Sequence, residues 1–367
     1  MAKLTPRPGI MDITPYVGGQ SKDTSFKGKL SSNESALGTS PAAVAAYSEA
    51  AATLHRYPDG GSITLREALA AEYDIEANRI VCVSGSDDLL TMICRAYAGP
   101  GDEVLYSENG FLVYPIAAMS VGATPIAVCE RDYHQQVDNL LAAVTPKTKV
   151  VFVTNPSNPT GTYITGDELA RLHAGLPNSV ALVIDGAYAE FVTAEDFDCG
   201  LELARNADNV LMTRTFSKIY GLAGLRLGWG YGSRQIMDVI NRIRGPFNVA
   251  APSQAAGVAA LGDTEFVAAA VAHNSKYLAW LTQQITDMGL FVVPSVANFL
   301  LIKFDSEEHA HACDLFLQDK GFFLRRMDEY GFPDHLRLSI GPVDENEGVI
   351  AALHSFITRP NWDASDE

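Results

Sequence analysis

The sequence predicts an α/β protein in which a large domain with a mostly parallel central sheet precedes a smaller α+β domain at the carboxyl end. Short apolar strands alternate with helical segments between residues 80 and 231. Repeated β-α units of this kind build parallel sheets covered by helices on both faces. The alternation stops after Pro246. The length of 367 residues exceeds one ordinary domain and suits two that share an interface.

The large domain is expected to cover residues 41–246. An Ala-rich helix begins at Pro41, and a second helix covers residues 63–73 after a loop with the turn residues Pro58-Asp59-Gly60-Gly61. The expected strands are 80–83, 103–106, 124–128, 149–154, 180–184, 209–212 and 225–231, and the helices between them are 89–98, 112–121, 137–144 and 165–176. Ligands gather at the carboxyl ends of such strands.

The smaller domain is expected to cover residues 247–367. A long helical stretch runs from Ala251 to about Leu290, with a break at Gly262. The expected strands are 299–304, 322–326 and 335–340, with one helix at 308–318 and another after Val343.

Residues 1–40 are expected to form an arm with little secondary structure, because they are rich in Pro, Gly, Ser and Asn. Tyr16, Phe26, Leu30 and Leu37 give this arm apolar anchors. We expect it to lie across a protein surface, which can be that of a partner subunit. The alternative is a disordered tail.

The net charge of −17 argues against a nucleic-acid or anionic-membrane surface, because phosphates would be repelled. Any phosphate site must therefore be a local concentration of donors. The sequence contains no apolar stretch of the roughly 20 residues that a membrane span needs, and its first 19 residues contain no signal-peptide core. Five scattered cysteines without a C-x-x-C pair fit a reducing compartment. We expect a cytoplasmic protein.

Lys218 stands among hydroxyls and small residues after the apolar run 209–212, with Arg226 eight positions later. A lysine in such a place can hold an aldehyde as a Schiff base, because desolvation lowers its pKa. Hydroxyls and a guanidinium hold phosphates. An aldehyde and a phosphate on one small molecule suggest pyridoxal 5′-phosphate.

The other groups that this cofactor needs are also present. Asp185 ends a strand and can pair with the pyridinium nitrogen, while Tyr188 and Asn158 can reach the phenolate oxygen O3′. A phosphate cup is expected at a helix start, where free N–H groups favour anions. Its members are Gly85, Ser86 and Asp87, supplemented by Thr215, Ser217 and Arg226. Phe111 or Tyr114 can stack on the ring.

Each of these residues taken alone has an ordinary explanation as a turn, a cap or a core residue. Their joint position after strand ends is much harder to explain by chance. The order of the motifs resembles that of fold-type I pyridoxal phosphate-dependent aminotransferases, and most of all the histidinol-phosphate aminotransferase family. The matching residues are Pro15-Tyr16, Asn33-Glu34, Arg56-Tyr57-Pro58-Asp59, Gly85-Ser86-Asp87, the segment Asn155-Pro156-Ser157-Asn158-Pro159-Thr160-Gly161, Asp185 with Tyr188, Ser217-Lys218 with Arg226, and Leu336-Arg337-Leu338-Ser339-Ile340-Gly341.

The resemblance implies a homodimer with the active site at the interface. It implies that Tyr57 reaches the cofactor phosphate of the other subunit and that Phe111 is the stacking aromatic. It implies that Arg337 fixes the acidic group of the substrate, with Arg325 near it. Tyr16 and Asn33 would line the substrate pocket.

The chain departs from the family pattern at three positions. Gly186 stands where the family usually has Glu, Phe111 where Tyr is common, and Ser35 where Asn is common. These departures leave the chemistry intact but bear on substrate identity. The expected reaction is transamination between histidinol phosphate and 2-oxoglutarate in histidine biosynthesis. The alternatives are an aromatic amino acid aminotransferase and a threonine-phosphate decarboxylase-like enzyme.

Two other classes of protein fit the sequence less well. A regulator that binds pyridoxal phosphate without turnover would not need Lys218, Asp185 and Arg337 together. A nucleotide-binding dehydrogenase would need a G-x-G-x-x-G motif after an early strand. No metal site is expected, since the close histidine pair, His309 and His311, is interpreted as helix surface.

Overall fold

The structure is a computed structural model that describes residues 4–19 and 26–359; residues 1–3 and 20–25 of the expected arm lie outside the described residues. The strands are β1 Gly28–Lys29, β2 Ile80–Val83, β3 Glu103–Ser107, β4 Thr124–Val128, β5 Thr148–Thr154, β6 Ala181–Asp185, β7 Val210–Thr215, β8 Gly228–Gly232, β9 Phe291–Val293, β10 Phe299–Lys303, β11 Phe322–Phe323, β12 Arg325–Arg326 and β13 His335–Ser339. The helices are α1 Pro41–Ala50, α2 Ile63–Tyr73, α3 Ser86–Tyr97, α4 Val113–Val121, α5 Val137–Ala142, α6 Gly166–Gly175, α7 Leu201–Asn206, α8 Arg234–Ile243, α9 Ala251–Gly262, α10 Thr264–Asp287, α11 Glu307–Asp319 and α12 Val343–Ile357.

The central sheet has seven strands in the order β2-β8-β7-β6-β5-β3-β4. Strand β8 runs opposite to the other six strands, and it pairs with β2 and β7. The prediction of a mostly parallel sheet in an α/β protein is confirmed. Because β5, β6 and β7 run side by side in the same direction, their carboxyl ends meet at one edge of the sheet.

Helices cover both faces of this sheet, because its strands are apolar on both sides. Apolar residues of α3, α4 and α8 form the core on one face. Those of α2, α5, α6 and α9 form the core on the other. The result is a three-layer architecture in which strand ends and helix starts converge at the carboxyl edge.

Strand β8 reads Gly228-Trp229-Gly230-Tyr231-Gly232, and its glycines let α3 approach the sheet closely. A Cβ at Gly228 would lie 2.4 Å from the backbone nitrogen of Ser86, the first residue of α3. Trp229 and Tyr231 fill the opposite core instead. A glycine in a strand often marks such a close approach.

The second, smaller unit is a four-stranded antiparallel sheet in the order β12-β13-β10-β9, packed with α10, α11 and α12 around a core of its own. The predicted strand 322–326 is divided at Leu324. Its first part pairs with β1 of the arm, and its second part pairs with β13.

The two cores divide within α10. Ala256 of α9 and Ala270 in the first part of α10 belong to a core of the large unit. Tyr277, further along α10, belongs to the second core. The predicted boundary after residue 246 stays a prediction. His309 corrects another expectation, because its side chain is only 12% exposed and lies against Phe304 and Phe356. The interpretation of this histidine as helix surface is wrong.

In the described part of the chain, none of the individual helices has the length and apolarity of a membrane span. Helices α9 and α10 reach the length and apolarity of a membrane span only when the two are taken together, and there is a bend of 75° between them. All five cysteines are free thiols, and Cys82, Cys94 and Cys313 are buried.

Arg214 of β7 and Glu190 form an ion pair under the sheet edge, with Nε and Oε1 3.1 Å apart and both side chains less than a tenth exposed. The guanidinium also lies over the ring of Tyr73. Removing one partner of a buried pair leaves the other charge without compensation.

We expect Glu190→Ala to lower the free energy of unfolding by about 3 to 5 kcal/mol, because Arg214 would be left buried and unpaired. Chemical denaturation of the cofactor-free protein measures this change. Asp238→Ala is the matched control, since Asp238 forms an exposed pair with Arg242 worth about 0.5 kcal/mol or less. Equal losses in the two variants would contradict this expectation.

Candidate active site

A cavity of about 530 Å³ lies past the carboxyl ends of β5, β6 and β7. The arm segment 31–34 and the paired strands β12 and β13 complete its wall. Both units and the arm therefore contribute to one cavity. Among the residues predicted for the site, the cavity is lined by Tyr16, Asn33, Ser86, Asp87, Phe111, Asn158, Asp185, Tyr188, Thr215, Ser217, Lys218, Arg226, Arg325 and Arg337.

Lys218 follows β7 by three residues and extends its amine into the cavity. Its Nζ donates to the carbonyl oxygen of Ser32 at 2.9 Å and lies 5.7 Å from the centre of the Tyr188 ring. Burial, helped by the positive charge of Arg337, lowers the pKa of this amine to about 8. A large fraction of the amine is therefore neutral near pH 8, and a neutral amine is nucleophilic.

Asp185 is the last residue of β6 and is fully enclosed. Its Oδ2 accepts from the hydroxyl of Tyr114 at 3.0 Å, and its Oδ1 accepts from that of Thr213 at 3.3 Å. Burial raises the pKa of this carboxyl to about 6, although the two hydroxyls act in the opposite direction. The group is a carboxylate at neutral pH, and it lines the same cavity as Lys218.

One end of the cavity is suited to an anion. Helix α3 begins there at Ser86, so its free N–H groups and dipole favour negative charge. Thr215 and Ser217 also line the cavity, and the Thr215 hydroxyl accepts from the Ser217 N–H at 3.1 Å. Arg226 lies across this end, with Nη2 2.8 Å from Oδ1 of Asp87 and Nη1 3.5 Å from Oγ of Ser217.

Gly85 is required at this end by its backbone and by its neighbours. Its φ of +93° is a conformation that residues with a side chain rarely adopt. A Cβ there would lie 2.3 Å from Nη2 of Arg226 and 2.4 Å from Oδ1 of Asp87. The space beside Gly85 is thus the space that the arginine and the aspartate need.

The phenol and amide predicted for O3′ lie on the same wall. The hydroxyl of Tyr188 accepts from Nδ2 of Asn33 at 3.1 Å. Asn158 accepts a hydrogen bond from Nη1 of Arg337 through its Oδ1. Asn33 itself is held by Ser339, whose hydroxyl donates to Oδ1 at 3.0 Å.

Arg337 and Arg325 face each other across the pairing of β13 with β12. Arg337 also donates from Nη2 to the Ser31 carbonyl at 2.9 Å, and its buried Nε has no hydrogen-bond partner among the described residues. Arg325 donates from Nη2 to the Val17 carbonyl at 2.8 Å and to Glu329 at 3.3 Å. Two guanidiniums with spare donors suit an acidic ligand group.

Phe111 lies in the cavity wall between Tyr16 and Tyr114, with edge-to-face contacts at ring-centre distances of 6.3 and 6.0 Å. The sequence also allows Tyr114 to stack on a ligand. The structure instead buries its ring against Phe152 and directs its hydroxyl to Asp185.

Two of the predicted site residues, Tyr57 and Gly85, do not line the cavity. Gly85 lies beside its anion end, whereas the Tyr57 side chain lies away from the cavity of its own chain. It is 82% exposed and stacks on Phe247 at a ring-centre distance of 4.6 Å.

The departure at Gly186 has a steric basis. A Cβ at this position would lie 3.1 Å from Cδ of Arg214, so a side chain there would require a small shift of the arginine in the buried ion pair.

Sequence reasoning missed the hydroxyls that support Asp185. Thr213 bonds the carboxylate directly, and Thr154 at the end of β5 bonds the Tyr114 hydroxyl. The available signal was a polar residue inside an apolar strand ending at the carboxyl edge. Among the described residues, no group of three or more His, Cys, Asp or Glu side chains is placed to hold a metal ion.

The family model described as aminotransferase class I and II matches residues 27–353. The chain belongs to this family. The enzyme is 54% identical over 361 residues to a histidinol-phosphate aminotransferase of Paramagnetospirillum magneticum, covering 97% of this chain and 99% of that protein. It is 49% identical to one of Ruegeria sp., over 97% and 98% of the two chains.

Solved structures give the same result. A histidinol-phosphate aminotransferase from Sinorhizobium meliloti in complex with pyridoxal 5′-phosphate superposes with a TM-score of 0.91 at 27% identity, over 97% of this chain and 98% of that one. A Thermus thermophilus aspartate aminotransferase mutant at 23% identity shares the fold, with a TM-score of 0.79 over 89% and 91% of the chains. This aminotransferase therefore acts on small-molecule substrates.

We expect Gly85→Ala to weaken binding of pyridoxal phosphate to the cofactor-free enzyme by about tenfold or more, because the added methyl displaces Arg226 from the anion end. Titration followed by absorbance measures the affinity. Gly224→Ala is the control, since a Cβ at Gly224 meets no atom within 4 Å. The steric account is incorrect if both variants bind the cofactor like the parent enzyme.

Proposed function

We propose that this aminotransferase transfers an amino group between histidinol phosphate and 2-oxoglutarate in histidine biosynthesis, with pyridoxal 5′-phosphate as its cofactor. The observation that carries the proposal is the shared cavity. Lys218 and Asp185 line it together, and Arg325 and Arg337 line it as well. The names of the 54% and 49% identical relatives support this substrate.

The described residues fit the cofactor. The steric requirement at Gly85 keeps the start of α3, the hydroxyls of Thr215 and Ser217, and Arg226 at one anion-binding end. The buried carboxylate of Asp185 suits a protonated ring nitrogen, and Tyr188 with Asn158 suits O3′. Bound there, pyridoxal phosphate supplies an aldehyde that bonds to amines and a ring that accepts the electrons left when a Cα proton departs.

Lys218 has two tasks in this proposal. Its Nζ would hold the cofactor covalently. When free, the same amine would be placed to remove the Cα proton of a bound substrate and to give a proton back, acting first as base and then as acid. Its lowered pKa suits this work, because a group that must both take and give a proton works best with a pKa near the operating pH.

The negative charge of Asp185 would keep a ring nitrogen beside it protonated. Tyr114 and Thr213 hold the carboxylate in place, so the charge stays fixed in a site with little water. Phe111 would cover the face of the cofactor ring. Gly186 leaves both Asp185 and Tyr188 in the cavity wall, so this departure from the family pattern does not remove either contact.

Arg337 and Arg325 bind the acidic group of each substrate in turn. A guanidinium forks equally well to a carboxylate or a phosphate. Glutamate and histidinol phosphate can therefore use the same two arginines, with Tyr16 and Asn33 lining the remainder of the pocket. This double use explains why one cavity can serve both halves of the reaction.

We further propose that the enzyme is a homodimer in which Tyr57 binds the cofactor phosphate of the other subunit. The exposure of Tyr57 and Phe247 supports this, because large apolar patches on a surface mark interaction sites. Further exposed apolar side chains close to Tyr57 in sequence are Val44, Tyr47, Leu54 and Ile63. A cytoplasmic location is supported by the five free thiols.

We expect the association rate of pyridoxal phosphate with the cofactor-free enzyme to rise with pH through about 8, the pKa of Lys218. The lowered pKa means that the reactive neutral amine forms above this pH and is lost below it. Stopped-flow absorbance measures the rate. Pyridoxamine phosphate has no aldehyde and should not show this rise.

Lys218→Ala should abolish turnover, and an active Lys218→Ala enzyme would disprove the mechanism.

The substrate is tested by half-reaction rates with histidinol phosphate, phenylalanine and tyrosine. We expect kcat/KM to be highest for histidinol phosphate, because its phosphate engages both arginines. If phenylalanine exceeds it by more than about tenfold, the enzyme is an aromatic aminotransferase instead.

A further inference from the structure

Tyr330 lines the cavity although it belongs to no motif found in the sequence. It ends a short turn, Asp328–Tyr330, between β12 and β13, so it follows Arg325 and precedes Arg337 in the chain. The residue is only 3% exposed, and its ring packs with Val293, Leu301 and Met327. Such packing holds the side chain in one place at the substrate end of the cavity.

The hydroxyl of Tyr330 is not used by the protein. Among the described residues, nothing forms a hydrogen bond with it, although its backbone is bonded on both sides. Its N–H donates to the Met327 carbonyl at 3.0 Å, and its carbonyl accepts from Nδ2 of Asn109 at 2.7 Å. A tyrosine hydroxyl without a protein partner in a cavity wall is available to donate to a ligand or to a water molecule.

The charges around this hydroxyl favour an anionic ligand. Arg337 and Arg325 both act electrostatically on the phenol, and yet burial dominates and keeps its pKa raised well above the ordinary value. The phenol is thus neutral and carries a proton to donate. Arg325 of β12 donates a hydrogen bond to Glu329, the residue that precedes Tyr330.

We propose that Tyr330 is a specificity-determining residue that donates a hydrogen bond to the phosphate of the substrate and makes the enzyme prefer a phosphate over a carboxylate. A phosphate monoester presents three terminal oxygens, which two guanidiniums and a phenol can share. A carboxylate presents two oxygens, which the two guanidiniums can satisfy without the phenol. This inference rests on the proposed function, since it assumes a phosphate-bearing substrate.

Tyr330→Phe removes only the hydroxyl and keeps the packed ring. In the holoenzyme, we expect kcat/KM for histidinol phosphate to fall about tenfold to a hundredfold, mainly through KM, because a hydrogen bond to a charged group is lost. The values for glutamate and for histidinol without its phosphate should change by less than about twofold. An equal loss for all three substrates, or no loss, would overturn the proposal.

Inorganic phosphate gives a second measurement that does not depend on the substrate. Its inhibition constant against the best amino donor should rise about tenfold in Tyr330→Phe. It should stay unchanged in Tyr97→Phe, a half-buried tyrosine of α3 outside the cavity. An unchanged constant in both variants disproves the role of Tyr330. If wild-type enzyme fails to convert histidinol phosphate, the proposed function is wrong, whereas phosphate competition still decides the role of Tyr330.

Asn109→Ala tests the positioning of the loop. The side chain of Asn109 bonds the backbone carbonyl of Tyr330, so its loss should reproduce the selective rise in KM for histidinol phosphate at a smaller magnitude. A uniform fall in kcat for every substrate would instead indicate that the loop has a general structural role.

Discussion

The negative charge of Asp185 is held inside the protein, and the arrangement of the site depends on this burial. Its pKa of about 6 in the folded state lies above the ordinary value of 3.8, so ionisation opposes folding. The penalty is about 3 kcal/mol above pH 6 and disappears below pH 4. Tyr114 and Thr213 reduce it without removing it. A cationic ring nitrogen beside the carboxylate would offset the remainder, so the folded chain favours such a ligand before any chemistry occurs.

The cavity also depends on the junction between the two units. Segment 31–34 of the arm supplies the Ser32 carbonyl to Lys218 and the Ser31 carbonyl to Arg337. Asn33 in the same segment adopts a φ of +53° and is fixed by Ser339 and by Asn298, which donates to its carbonyl at 3.1 Å. The smaller unit thus sets the position of groups that act on residues of the larger one. Neither unit contains a complete site.

Much of the site could be predicted because its residues follow strand ends. Asp185 and Lys218 follow apolar runs at positions where a sheet places ligands, and Gly85 precedes a clear helix start. Tyr114 could not be assigned correctly, since a tyrosine in an apolar helix fits a core, a stacking role or a hydrogen-bonding role equally well. Thr213 was hidden because threonine is at home in strands.

The fold shows the same limit wherever contacts are distant in sequence. Leu324 divides a strand because β11 pairs with β1, almost three hundred residues earlier. Periodicity describes only local preference and contains no information on that partner. The burial of His309 is likewise invisible in local periodicity, since Phe356, which packs against it, comes from another helix.

The glycines of β8 have a consequence for how this enzyme can change over evolutionary time. The distance between α3 and the sheet depends on the lack of a side chain at Gly228, because even one methyl group there would collide with the Ser86 backbone. Gly228 has no side chain that successive substitutions could shorten to bring the helix closer. Any substitution there would instead push α3 away from the sheet, so the distance between the helix start and the strand ends cannot change in small steps at this position.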